Sequence, residues 1–373
     1  MKKKFWLSCL LCCAGLLALV LPARGGLLAL ETPLSNPGRA YEVNLDSQGK
    51  LWVSEADTGK IWAFDSLNGA YKVYLVGGGP SDAHSDGNGS VWWADFTSNH
   101  LSRVLTSTHE VKYWAIPNSL GLYSTALGSG GTIWASDYYA SKIYNLNPDP
   151  ESNLLCVYTI PNNGLSEYLE ADGARLWFGD YINARLVLIE GTRLTWWSLQ
   201  EYGYPRDLEV DENGAVWWTD ANLRKLGHLA PGEASFTAYS LPFSGIPIMM
   251  KLREGKAWFT LQSPSGLATM DPSIEQGELV STTSEGQDIF PDCDPLLPTP
   301  APDVMPTDGQ AEWNGQSYPQ KLSQPGWTVF QMPENGLPWG ITATHEIWLV
   351  DQGRHSLTKV SPASQLYFPL VVK

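Results

Sequence analysis

The sequence predicts an all-β fold, a seven-bladed β-propeller of four-stranded antiparallel blades, and three observations carry that prediction. A tryptophan phrase recurs along the 373 residues: G-K-L-W-V-S-E at Trp52, G-S-V-W-W-A-D at Trp92, G-T-I-W-A-S-D at Trp134, A-R-L-W-F-G-D at Trp177, G-A-V-W-W-T-D at Trp217, G-K-A-W-F-T-L at Trp258 and H-E-I-W-L-V-D at Trp348. The first six tryptophans are 40, 42, 43, 40 and 41 residues apart. Two further positions keep the register without gaps. Three residues after each Trp stand Glu55, Asp95, Asp137, Asp180, Asp220, Leu261 and Asp351, and nine after stand Ile61, Leu101, Ile143, Leu186, Leu226, Leu267 and Leu357. No helical periodicity interrupts a unit, so each period reads as one blade.

Within a unit, an inner strand such as Arg206 to Val210 meets a turn at Asp211 to Gly214, and the second strand carries the Trp. A polar turn leads to a third strand, and an outer strand such as Phe236 to Leu241 closes the blade. A repeated Trp, burying about 150–250 Å², fills the wedge between neighbouring sheets. The acid after it falls at a strand end, where its carboxylate caps the following turn through backbone N–H groups.

Seven phrases imply seven blades in a single domain over residues 27–373. Between Trp258 and Trp348 lies a Pro-rich insertion at about 281–326, placed between blades six and seven, with the run P-L-L-P-T-P-A-P-D-V-M-P. Its proline density predicts an exposed or partly disordered loop. Ring closure is expected from Leu27 to Leu34 as an outer strand on the last blade, with Leu366 to Val372 competing for that place.

At the start, Met1-Lys2-Lys3-Lys4 precedes an apolar run from Phe5 to Leu21 and then Pro22-Ala23-Arg24-Gly25-Gly26. That order of charged, apolar and small residues predicts a signal peptide over residues 1–25 and a secreted, extracytoplasmic monomer with no membrane attachment after cleavage. Three of the five cysteines fall in this leader; Cys156 and Cys293 remain, and they can pair or stay free. Losing Lys2, Lys3, Lys4 and Arg24 takes the formal net charge from −15 to about −19, which excludes a nucleic-acid partner.

The tryptophan phrase, the apolar residue nine after it, the Y-x-I-P or Y-x-L-P outer strands and L-P-W-G-I-T-A at Leu337 to Ala343 together resemble the streptogramin B lyase (virginiamycin B lyase) family of seven-bladed propellers. The resemblance covers about residues 27–280 and 326–365. It implies a Mg²⁺-assisted elimination that opens a cyclic depsipeptide antibiotic, with catalytic histidines at the variable place of P-x-G-I. In this sequence Tyr41, Ser81, Tyr123, Ser166, Arg206, Ile248 and Trp339 occupy that place, and none is histidine. The expectation is therefore a fold without the family's proton carrier, and no antibiotic lyase activity.

Ten residues before the Trp of blades one to five stand Glu42, Asp82, Ser124, Glu167 and Asp207. Equal offsets predict equal heights on the inner strands, which makes Glu42, Asp82, Glu167 and Asp207 candidate ligands for Ca²⁺ or Mg²⁺, set against a water-filled channel with solvated acids. Tyr41, Tyr123, Arg206 and Trp339, with Tyr138 and Tyr181 from the turns after the acids, are the candidate ligand-binding residues on the same face. His84 alone among six histidines is expected near the channel. His100, His109 and His355 fall on turns, and His228 and His345 in or beside strands. The aromatic strand-entry and turn residues point to a protein that binds a small polar or aromatic ligand, a glycan or a protein partner on the face they share. The alternative is a metal-dependent lyase or lactone hydrolase acting at the central channel.

Overall fold

The computed structural model describes residues 27–362 except 36–37, 150–152, 200, 202, 303 and 344–345, so the expected signal peptide, Leu366 to Val372 and His345 lie outside the described residues. Seven antiparallel sheets form one ring. Their inner strands are Ala40–Leu45, Pro80–Ser85, Leu122–Leu127, Leu169–Asp172, Pro205–Val210, Ile246–Arg253 and Pro338–Ala343, each packed against the inner strands of the blades on either side. Leu27–Pro33 pairs with Ser356–Pro362 and closes blade seven as its fourth strand.

The repeated residues do what their spacing predicts. Each phrase Trp joins an apolar cluster with the next blade: Trp52 packs with Ala83 and Val91, and Trp348 packs with Val43 and Leu51 across the ring closure. Truncating one such Trp costs about 3–5 kcal/mol. The seven residues nine places on, Ile61 to Leu357, are all 0% exposed. The acids cap turns. Asp95 accepts backbone N–H bonds from Gly79 at 3.0 Å, Thr97 at 3.1 Å and Ser98 at 2.9 Å, and so ties the approach to its inner strand to the turn behind its second strand. Asp137, Asp180, Asp220 and Asp351 repeat the arrangement. Asp95→Ala orphans all three donors, and its urea midpoint is expected to fall by an amount equivalent to about 3 kcal/mol. An unchanged midpoint would remove the acid from the architecture.

The blades are five-stranded, one strand more than expected, and the insertion supplies the extra strand. Short strands at Glu278–Val280, Ser284–Asp288, Asp292–Pro295, Thr299–Ala301, Thr307–Gln310, Asn314–Tyr318 and Gln320–Gln324 add in turn to the outer edges of blades five, four, three, two, one, seven and six. The segment expected to be an exposed loop is a belt that makes one full circuit of the ring. It leaves blade six after its third strand, Gly266–Met270, and returns to it before its fourth, Trp327–Gln331, so the insertion lies within blade six. Proline does not prevent this. An edge strand bonds on one side only, so an N–H is dispensable at alternate residues, and Pro300 sits inside such a strand opposite Lys112. Cys156 and Cys293 stand opposite each other where the belt crosses blade three, and a disulfide joins them.

Candidate functional site

Wherever an inner strand meets its second strand in blades one, two, three, five, six and seven, a bulge shifts the register, between Ala40 and Glu42 in blade one for example. A bulge frees backbone groups that need partners. The hydroxyl two residues after the Trp supplies them. Ser136 accepts from Ser124 N at 3.1 Å and donates to Glu167 O of the next blade at 2.7 Å. Thr219 and Thr260 repeat both bonds, to Ile248 O at 2.8 Å and Trp339 O at 3.1 Å, and Ser54 donates to Ser81 O at 3.1 Å. These hydroxyls rivet blade to blade, and the sequence shows them as Ser54, Ser136, Thr219 and Thr260 at one offset.

The rivets also identify structurally equivalent residues. Ser81, Glu167, Ile248 and Trp339 receive the same bond, so Glu167 takes the place expected for Ser166. The cause lies in the hairpin turn. Five residues separate Leu45 from Leu51 in blade one, and four separate Ala171 from Leu176 in blade four. Equal sequence offsets therefore do not give equal heights in blade four. Glu167 belongs to the upper tier with Tyr41, Ser81, Tyr123, Arg206, Ile248 and Trp339, and Tyr168 stands beside Glu42, Asp82, Ser124 and Asp207 in the tier below.

In that lower tier the acids face inward-packed backbone. Asp82, 3% exposed, accepts Thr125 N at 3.0 Å and Ser124 Oγ at 3.1 Å from the next blade, Asn44 Nδ2 at 3.1 Å, and lies 2.9 Å from His84 Nε2. Burial alone would raise this carboxyl, but His84 and the Thr125 and Ser124 donors outweigh it and hold Asp82 below the usual range. Asp207, 5% exposed, accepts Met250 N at 2.6 Å, again across a blade boundary. Burial pushes it up to about 6, with Lys251 and the Met250 N–H opposing. Burial, then Asp82 and Asp207, drive Glu42 well above the usual range, and its Oε2 has no hydrogen-bond partner. Below these stand Glu170, pushed up to about 7 chiefly by burial, and Lys251 in contact with Glu209.

Among the described residues no group of three or more His, Cys, Asp or Glu side chains gathers in a form that could hold a metal ion. The oxygens that the sequence offered to Ca²⁺ are largely spoken for: both of Asp82, one of Asp207, and Glu167 by Tyr204 and Arg206. A Ca²⁺ site needs six to eight oxygens. Millimolar calcium is accordingly expected to leave the melting temperature unchanged, and a rise that saturates with calcium would overturn this reading of the acids.

The upper tier is a different environment. Tyr204 Oη donates to Glu167 Oε1 at 2.8 Å, and Arg206 Nε lies 3.4 Å from Oε2. The Arg206 guanidinium sits 4.7 Å over the Trp339 ring, whose Nε1 donates to Tyr168 Oη at 2.8 Å; Tyr168 and Tyr123 share a further bond at 3.2 Å. Tyr41 meets Trp339 edge-on at 6.2 Å, and Tyr138 bridges Tyr123 at 5.3 Å and Tyr181 at 6.1 Å. All six sequence-selected residues thus lie in one connected aromatic cup. Burial and then the Glu167 charge raise the Tyr204 hydroxyl, and burial, then Tyr138 and Glu167, raise that of Tyr181, which keeps both protonated as donors. Beside Tyr41 opens a cavity of about 320 Å³, walled by Arg39, Asp57, Ser81, Phe96 and Tyr123. Arg39, Asp57, Phe96, Tyr168 and Tyr204 were missed by sequence reasoning. Phe96 was legible, since it directly follows the capping acid as Tyr138 and Tyr181 do.

Of the histidines, His100 stacks on Tyr113 at 4.3 Å and His228 lies tilted against Trp217 at 4.2 Å, while His84 is held by Asp82.

No protein-family model and no curated protein matches the chain. Among solved structures it is similar to a catalytically inactive virginiamycin B lyase from Staphylococcus aureus with quinupristin, at TM-score 0.68 and 17% identity over 90% of this chain and 99% of that one. A streptogramin B lyase gives TM-score 0.68 and 18% identity over 90% and 98%. The extracellular domain of a putative one-component system from B. thetaiotaomicron gives 0.56 and 14%, over 90% of this chain and 43% of that one. Identities this low speak for architecture and leave the chemistry to the site itself. In fold, the chain is a seven-bladed propeller similar to the virginiamycin B lyases.

Proposed function

We propose that this chain is an exported binding protein that takes a small polar or aromatic ligand in the upper cup and does not perform antibiotic elimination. The observation that carries the reading is the Arg206–Glu167 pair set among Trp339, Tyr204 and Tyr138, which Tyr41 and Tyr123 join to an open cavity of about 320 Å³ that those two tyrosines line. Polar groups fixed among aromatic faces are what a small-molecule site needs: apolar area for affinity and a few placed donors for orientation. The Cys156–Cys293 disulfide supports an oxidising compartment. Against elimination stands the upper tier itself, where Tyr41, Ser81, Tyr123, Glu167, Arg206, Ile248 and Trp339 offer no imidazole to move a proton at neutral pH.

Saturation-transfer NMR against a mixture of sugar, amide and aromatic fragments tests the proposal. Bound fragments are expected, with their signals lost in Trp339→Ala, and quinupristin is expected to remain intact after incubation with the protein. Fragment signals that persist in Trp339→Ala would move the site elsewhere, and opened quinupristin would restore the enzyme reading.

A further inference from the structure

We propose that the upper cup recognises neutral pyranose rings, making its ligand a glycan; this rests on the ligand-binding reading above and names the ligand class. The first ground is charge. The formal net charge of the whole chain is −15, yet the cup is balanced, because its two cations are closed on its two anions. Arg39 Nε and Nη2 grip Asp57 at 2.7 and 3.0 Å, and Arg206 lies against Glu167 at 3.4 Å. A charged ligand finds no unpaired opposite charge here. A neutral ligand rich in hydroxyls loses nothing by that, since each paired group keeps hydrogen-bonding capacity. A guanidinium carries five N–H donors and a carboxylate about four acceptor sites, and Arg39 spends two donors on Asp57. Both members of that pair are open to solvent, at 54% and 38%.

The second ground is the alternation of these forks with ring faces. Arg39 sits 5.8 Å from the Tyr41 ring centre and Arg206 4.7 Å from that of Trp339, and the two rings meet edge-on. Phe96 adds a further ring to the cavity wall, and the exposed Tyr139 lies 5.8 Å from it. A pyranose has apolar C–H faces that lie on aromatic rings and a rim of hydroxyls that donate and accept at once. A purely aromatic ligand covers the rings but strips water from the forks without replacing its hydrogen bonds, which costs affinity.

Calorimetric titration of the full chain with cellotetraose and maltotetraose, beside trigalacturonate and quinupristin, tests the inference. At least one neutral tetrasaccharide is expected to bind saturably, roughly tenfold more weakly in Tyr41→Ala and in Trp339→Ala, since a ring contact is worth about 1.4 kcal/mol. Tyr41→Phe, which keeps the platform, is expected to stay within about twofold of the parent. Trigalacturonate binding as tightly as the neutral sugars overturns the charge argument and with it the inference. Quinupristin bound through Trp339 with no sugar bound overturns the glycan and leaves the cup a ligand site. If no probe binds, both readings fall.

Discussion

Reducing the Cys156–Cys293 bridge is expected to lower the unfolding free energy by about 4 kcal/mol and to expose the belt to proteolysis between residues 284 and 310. The bridge spans 137 residues, and cross-linking so long a segment removes much of the freedom of the unfolded chain. It also acts where the native state most needs it. The belt crosses blade three through only four paired residues, Leu154 to Val157 against Asp292 to Pro295, on an outer edge with solvent beyond. Such a strand holds little apolar area of its own, so its local opening is cheap unless the chain is pinned nearby. Urea unfolding with and without a dithiol reductant, repeated on Cys156→Ala/Cys293→Ala, reads both effects. The double variant should match the reduced parent, and an identical midpoint in reduced and oxidised protein would show that the belt holds without its clasp. Where the belt does open, it uncovers the outer edges of blades one to four, so reduced protein is also expected to associate more readily through them.

The belt is also where the sequence was least legible. The Trp phrase could be read because each blade repeats the same local problem, a wedge to fill and a turn to cap, and so repeats the same residues. A belt strand has three to five residues and pairs with a partner made far away: Thr307 meets Val73 and Asn314 meets Glu31. No local pattern encodes that pairing. What the sequence does hold is spacing, since the seven belt strands begin at residues 278, 284, 292, 299, 307, 314 and 320, steps of six to eight. Proline falls in four of those six steps, and read as a composition it suggested disorder; the even spacing of one short strand per blade is what that composition hid. The tier slip in blade four has the opposite origin. The pattern was sound, and a single residue missing from the Asp172–Arg175 turn moved Glu167 up beside Arg206 and put Tyr168 in line with Asp82 and Asp207. Counting the turn, A-D-G-A-R against L-D-S-Q-G-K in blade one, would have shown it.

That lower tier yields the sharpest electrostatic expectation, because two of its acids are displaced in opposite directions. Asp207 is held at about 6 in the folded chain and titrates near 3.9 when unfolded. The folded state therefore binds the proton more tightly. Asp207 contributes no penalty below about pH 4, a growing one as pH rises between 4 and 6, and a constant one of about 3 kcal/mol above that. Asp207→Asn cannot ionise, and its amide oxygen can still accept the Met250 N–H, so it is expected to gain on the parent through that window and to stay ahead at pH 7. Asp82 runs the other way. Its carboxylate is held below the usual range, so it stabilises the fold above its unfolded pKa and loses that contribution as pH falls through its folded one. Asp82→Asn keeps an acceptor for Thr125 N but gives up the charge opposite His84, and is expected to be less stable than the parent at pH 7 with the deficit closing in acid. Urea unfolding of the three proteins from about pH 2 to pH 7 separates the two slopes, with Asp207→Asn diverging from the parent between about pH 4 and 6 and Asp82→Asn converging on it below about pH 4. If both variants shift with pH in the same direction, the acids share one environment, and the cross-blade hydrogen bonds that distinguish Asp82 from Asp207 do not govern their ionisation.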